Sequence, residues 1–428
     1  MKTWLSHLWS RLRTSFWFVP GGMVLACAAV AYGTLWVDRK AAMVELPTWF
    51  APVTVSAEGI RSLLSTTATA VLTLAGLTFS ATLVALTLAS SQFGSRILRN
   101  FIRSLPNQFT LGMLLGNFVF CLLVLRSVRS ATAGEFIPHI AAFAAFITTL
   151  ASLATFIYFV HHIAVSLQAD RIVAAVHDEL DETLERFFPD RRPADPDERE
   201  ANQEKAEWED IEDEIPVRAS RSGYIQAINI EGLVETCAHK NLRCRMLYRP
   251  GQFVHAEETI IAVDQSSASG NDHDLSTLAD EIIIGRIRTA EQDFEFCLRQ
   301  LVEIALRALS PGINDPFTAM ICIDYLGAAL GKVATRHLPK RTFADRDKNP
   351  RVRVRPTAFS DLLDAAFHQL RQTAAGRPDI AIRLLETLTD VGKRAMLDSH
   401  REAIAAHADA LLATSQADVD CYRKAIRK

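Results

Sequence analysis

From Leu63 to Gly94 the chain carries no Asp, Glu, Lys or Arg. A charge-coupled pump needs an ionisable group within the membrane, so this gap argues against that mechanism. Nor does the sequence hold a nucleophile elbow, a P-loop, a dinucleotide fingerprint or an HExxH pair, and nothing in it calls for a cofactor. Its seven cysteines are scattered, with no CxxC pair, and the odd count argues against a disulfide framework. Cys237, His239 and Cys244 cluster loosely, but their spacing fits no strong zinc pattern. With 46 basic against 49 acidic residues, the net charge of −3 favours neither nucleic acid nor acidic substrates as partners.

Long apolar runs are present instead. The chain has 428 residues, 49% of them hydrophobic, yet the mean hydropathy is only slightly positive. Such an average mixes a very apolar front with a soluble back. Residues 1–16 alternate Trp4, Leu5, Leu8, Trp9, Leu12 and Phe16 with Lys2, His7, Arg11 and Arg13 at helical spacing, which suits a helix in the membrane interface. Four stretches then reach bilayer length, about 16–37, 63–89, 109–125 and 136–160. Lys2, Arg11, Arg13, Arg96, Arg99, Arg103 and Arg171 fall on one side of them, against Arg39, Lys40, Arg61, Arg126 and Arg129. That excess places both termini in the cytosol.

The second stretch sets Thr66, Thr69, Thr73, Gly76 and Ser80 on one helix face. Small hydroxyl residues allow close helix packing, and in an oligomer the same face can line a pore. The loop that follows, Ser90 to Phe101, carries Arg96 and Arg99, and with Arg103 just beyond it suits anionic lipid headgroups.

Residues 166–214 read as a helix followed by an acidic linker, with twelve acidic and four basic residues from Asp190 to Glu214. A β-rich subdomain is expected over 215–270, with strands at 217–220, 223–228, 243–248, 253–254 and 259–263. Its succession of motifs resembles the half-barrel of lipoyl- and biotinyl-like domains, but no attachment lysine follows Val263. Ala256-Glu257-Glu258 stands where a turn glycine is expected. Residues 271–428 are mainly helical. Thr289 and Gln292 have capping-box spacing before a helix that starts near Phe294, and Glu303 and Arg307 are spaced as an i,i+4 pair. Arg351 to Arg355 alternates with valine, as in a short exposed or edge strand. His400, His407 and Asp409 are expected on a solvated helix face.

Ser310-Pro311-Gly312-Ile313-Asn314-Asp315-Pro316 breaks one helix and starts another. Proline and glycine stop the first, and Asp315-Pro316 reads as an N-cap and first-turn pair for the second. An arginine at 286 or 288 would neutralise Asp315, which makes Asn314, Asp315, Arg286, Arg288, Glu303 and Arg307 a candidate ligand or gating junction. This run, the Arg286-x-Arg288 and Glu291-Gln292-Asp293 elements before it, and the Ser91-Gln92-Phe93 element resemble a bacterial family of predicted membrane proteins, domain of unknown function 2254. The resemblance covers nearly the whole chain and implies an inner-membrane location. The fold expected is therefore a mainly α integral membrane protein: a four-span domain at 1–165, then a cytosolic α+β region with a small β-barrel-like subdomain and a helical C-terminal part. Three classes of function stay open: a channel-like homo-oligomer, a membrane-tethered sensor or assembly protein, and a membrane-associated enzyme acting near Asn314 and Asp315.

Overall fold

The computed structural model describes residues 17–41, 56–93, 105–128, 136–166, 168–188, 214–264, 275–336, 341–355 and 357–414. The expected interfacial helix at 1–16, the arginines at 96, 99 and 103, and nearly all of the acidic linker lie outside these residues. Two compact units make up the chain, Met1–Ile172 and Val173–Lys428.

The first unit holds four long helices: α1 (Phe18–Ala41), α2 (Ala57–Phe93), α3 (Leu105–Ser127) and α4 (His139–Ser166). Helix α3 is the centre, packing against the other three. Gly112 and Gly116 allow its approach to α1: a Cβ on Gly116 would stand 2.7 Å from Cys27 Sγ, and one on Gly112 would stand 2.7 Å from Met23 Sδ. Small residues four apart permit such contact between membrane helices. Helix α2 packs through Leu64, Ala68, Val71 and Ala75, all buried. Large apolar side chains remain exposed on α1, α2 and α4, among them Leu25, Trp36, Leu77, Val84, Phe146 and Ile157. A water-soluble unit does not present that much apolar surface.

Helix α5 (Ala169–Phe187) lies in the second unit from Val173 onward and contributes an apolar face of Val173, Val176, Leu180 and Leu184. The strands are β1 (Glu214–Arg218), β2 (Gly223–Ile228), β3 (Cys244–Met246), β4 (Phe253–Val254), β5 (Thr259–Asp264), β6 (Ile282–Gly285), β7 (Thr342–Ala344) and β8 (Pro350–Arg353). They form a five-stranded sheet in the order β1-β5-β3-β8-β7 and a three-stranded sheet in the order β4-β2-β6. Both contribute to one core with α6 (Ile230–His239) and the short α7 (Ser276–Asp280), around Ile225, Leu233, Ile261 and Val352. No pairing among the described residues closes either sheet into a barrel.

Three strands, β6 to β8, thus come from beyond residue 270. The edge-strand expectation for Arg351–Arg355 is overturned: β8 lies between β3, to which it is parallel, and β7, to which it is antiparallel. Its alternation reflects a buried Val352, while Arg351 pairs with Asp345 at 2.7 Å. At the turn where a glycine was expected, Glu257 adopts φ +64°, a conformation that costs a side chain little only in turns.

Helices α8 (Phe294–Ala308), α9 (Pro316–Ala334), α10 (Phe359–Thr373), α11 (Pro378–Arg394) and α12 (Asp398–Thr414) complete the unit. Helix α9 is the fifth helix among the described residues that is long and apolar enough to cross a membrane, one more than the sequence reading expected. It packs against α8, α10 and α11, and from Thr318 to Ala334 only Asp324 is exposed. A helix apolar on all sides is what a position inside a helical layer requires. The helix runs unbroken through Gly331. Nor are His400 and His407 solvated: both are buried, His400 stacking on Phe359 at 4.2 Å and His407 Nε2 lying 3.2 Å from Asp364.

Candidate functional site

The Ser-Pro-Gly-Ile-Asn-Asp-Pro turn folds back on the end of α8. Asp315 N donates to Ala308 O at 2.8 Å, and Asn314 N donates to Ser310 O at 2.9 Å. Ser310 Oγ donates to Arg307 O at 2.6 Å. Carbonyls that α8 itself leaves unpaired are satisfied in this way. Asn314 sits at φ +50°, a region asparagine tolerates better than most residues. Asp315 is the N-cap of α9, as its sequence suggested. Its Oδ1 accepts from Thr318 N at 3.1 Å, and its Oδ2 accepts from Thr318 Oγ1 at 2.5 Å. Both carboxylate oxygens are therefore committed to local bonds.

Among the described residues no arginine neutralises Asp315. Arg288 instead holds Asp293, with Nη2 at 2.6 Å and Nε at 2.8 Å from Oδ2. Arg286 is exposed. Asp293 also caps α8, accepting from Phe296 N at 3.0 Å, so the expected Thr289 cap is displaced by four residues. Gln292 turns away to bond Ile228 N at 2.8 Å and Ile228 O at 3.1 Å. Glu303 and Arg307 do pair, at 3.3 Å.

Around Asp293 gathers a charged node that the sequence reading missed. Arg249 reaches Asp361 at 2.6 Å and Glu295 at 3.1 Å, and Arg299 reaches Glu295 at 2.7 Å. Gly251, at φ +89°, lets the backbone pass where a Cβ would strike Asp293 and Arg288. Burial pushes the Asp293 carboxyl above its ordinary range, and Arg288 works against that shift. The node ties the turn after β3 to the first turns of α8 and α10. The available signal was Arg249-Pro250-Gly251-Gln252, a glycine turn beside an unpaired arginine.

In the first unit Thr66, Thr69, Thr73, Gly76 and Ser80 all lie on the exposed side of α2. No described residue of the same chain covers Gly76, whose added Cβ would meet nothing within 4 Å. Thr69 and Thr73 donate to the carbonyls of Ser65 and Thr69 at 3.0 and 2.9 Å, which leaves their lone pairs free to accept.

The buried polar groups lie elsewhere. Asn117 accepts from Thr148 Oγ1 at 2.8 Å and donates to Thr149 Oγ1 at 3.2 Å, joining α3 to α4. Asp38 accepts from Ile140 N and Ala141 N, each at 2.9 Å, and so caps α4 from the end of α1. Neither link was anticipated, although the strongly polar Asn117 within an apolar run and the acid at 38 were legible signals. Cys237 and Cys244 are buried with sulfurs 3.5 Å apart, and His239 is exposed.

A family described as predicted membrane protein (DUF2254) matches residues 13–390. The chain belongs to that family. Uncharacterized proteins of Mycobacterium bovis and Mycobacterium tuberculosis are 29% identical to it over 407 residues, which is 92% of this chain and 74% of theirs. No solved structure matches. As a DUF2254 protein with several long apolar helices, the chain is a membrane protein in contact with the lipid bilayer. The signature turn, the node at Asp293 and the hydroxyl face of α2 all fall within the matched segment of this DUF2254 member.

Proposed function

We propose that the protein is a channel-like homo-oligomer of the bacterial inner membrane. In this reading α1 to α4 cross the bilayer, α9 is a core helix of the cytosolic region, and both termini are cytosolic. The α2 helices of neighbouring copies place their hydroxyl faces along a path for a small solute or ion. One observation carries the reading: α2 packs internally through its apolar face and leaves Thr66, Thr69, Thr73, Gly76 and Ser80 uncovered. Hydroxyls gain little from lipid, whereas against water or a second helix they make hydrogen bonds. The enzyme alternative loses support because both oxygens of Asp315 are spent on capping.

Purified protein in proteoliposomes tests the reading. A cysteine at Thr73 should make ion or small-solute flux sensitive to a hydrophilic thiol reagent, and the native mass should be a multiple of one chain. A monomeric mass, or flux indifferent to the reagent, overturns it. For topology, cysteines introduced at 50 and 210 should label in intact cells at 50 only; labelling only at 210 inverts the orientation.

A further inference from the structure

Cys237 lies near the end of α6 and Cys244 begins β3, both inside the second unit and both fully buried. Their sulfurs stand in contact at 3.5 Å. The turn between them is held from two sides. Leu242 N donates to Cys237 O at 2.8 Å, with Asn241 at φ +51°. Arg351 of β8 donates from Nη1 to Asn241 Oδ1 at 2.9 Å. His239 and Asn241 are exposed, so the pair lies under a surface turn. For packing alone, two small apolar side chains would fill the same space.

The surroundings of Cys237 differ from those of Cys297, another buried thiol. A hydrogen bond with Cys244 holds the Cys237 thiol below its ordinary range, helped by the cations of Arg351 and Lys240 and opposed by burial. Cys297, in α8 beside Thr183, is pushed up to about 12 by burial. The thiolate is the reactive form, so the first site is activated and the second is not.

We propose that Cys237 and Cys244 are a peroxide-sensitive dithiol that closes to a disulfide joining α6 to β3. Local opening of the surface turn admits the small oxidant. The Cys237 thiolate attacks one oxygen of hydrogen peroxide, the O–O bond breaks, and the hydroxide released takes up a proton to become water. Cys237 is then a sulfenic acid, which condenses with a neighbouring thiol. The Cys244 sulfur attacks the Cys237 sulfur, the S–S bond forms and the S–O bond breaks. The hydroxyl leaves with the Cys244 proton as a second water. The two thiols lose two electrons and two protons, and the peroxide is reduced to two waters. A disulfide is about 2.05 Å long, so closure from 3.5 Å asks for a movement of about 1.5 Å. The ring so formed encloses a turn that is already in place.

The test uses the purified full chain in detergent micelles. Hydrogen peroxide acts for timed intervals and is removed with catalase. Remaining thiols are blocked with iodoacetamide in denaturant, and the digested peptides are weighed. The expected product joins the Cys237 and Cys244 peptides, with a loss of two hydrogens, and dithiothreitol reopens it. Cys297 should stay a thiol over the same interval. In Cys244→Ser, dimedone should trap a sulfenic acid on Cys237; in Cys237→Ser, Cys244 should stay a thiol. Loss of the wild-type Cys237 and Cys244 thiols no faster than that of Cys297 overturns the proposal. So does oxidation to sulfinic acid without a link, or a link from either residue to another cysteine. Trapping at Cys244 in Cys237→Ser overturns the assignment of Cys237 as the attacking thiol.

Discussion

Arg288 grips Asp293, its Nη2 2.6 Å from an oxygen of a carboxylate that is 3% exposed. The pair stands where a second bond, from Phe296 N, makes the same carboxylate a helix cap. Removing the cation leaves a buried charge without its partner, the costly half of any buried ion pair. Arg288→Met should therefore destabilise the protein by about 3 kcal/mol. The thermal midpoint of the detergent-solubilised chain checks this, with a fall of roughly 6–10 °C expected for a domain of this size. Asp293→Asn keeps the cap and loses the charge, so it should cost much less. Equal losses for the two would show that loss of the ion pair itself, not the stranded buried charge, sets the cost.

Asp315 gives a contrasting expectation. Because it only caps α9, Asp315→Asn should leave stability and flux near wild type, whereas Asp315→Ala should cost about 1 kcal/mol. Circular dichroism melts and proteoliposome flux separate the cases. A stable Asn variant without flux would return the turn to the list of functional sites.

Two glycines in the membrane unit should behave in opposite ways. Gly116→Leu forces a side chain toward Cys27 Sγ, where even a Cβ would lie 2.7 Å away, and should cost about 1–3 kcal/mol by overpacking. Gly76→Leu meets nothing within 4 Å in its own chain, so the monomer should keep its helical signal. Its effect should appear as a smaller native mass, because the added bulk falls on the face assigned to neighbouring copies.

Burial holds the pKa values of both His400 and His407 below the ordinary histidine range, the first against Phe359 and the second despite Asp364. A histidine with a depressed folded pKa binds more protons when unfolded. Stability should thus be full above the unfolded value of about 6.5 and should fall as the pH drops through it. The fall should level off once the folded pKa is passed. Melts at pH 7.5 and 5.5 check the sign. The double variant His400→Gln, His407→Gln should lose less between those two values than wild type does.

The helices were legible because their causes are local. Proline and glycine end α8, Asp315 and Pro316 start α9, and uncharged runs longer than a bilayer mark α1 to α4. What escaped depends on residues far apart in the chain. The alternation at Arg351–Arg353 shows a strand with one buried side. It says nothing of the parallel partner Cys244–Arg245, about a hundred residues earlier, that makes the strand internal. Arg288 could be seen to need a carboxylate, yet Glu291, Asp293 and Glu295 were all near in sequence terms, and backbone geometry chose Asp293. His400 and His407 look polar and surface-like one at a time. Their burial follows from α12 lying over α10, which no local pattern encodes.

The length of α2 sets a further condition. Its 37 residues make a rod of about 55 Å, against a hydrocarbon layer of about 30 Å. In the proposed topology the uncharged part alone, 62–93, is longer than the hydrocarbon layer. An upright α2 would hold part of that run out of the lipid, and a lean, a kink or a locally thicker bilayer would accommodate it. Thicker membranes should straighten the rod and thinner ones should lay it over, turning the hydroxyl face as it goes. With α2 spanning as proposed, acyl-chain length becomes a physical input to this protein, as real as any ligand concentration.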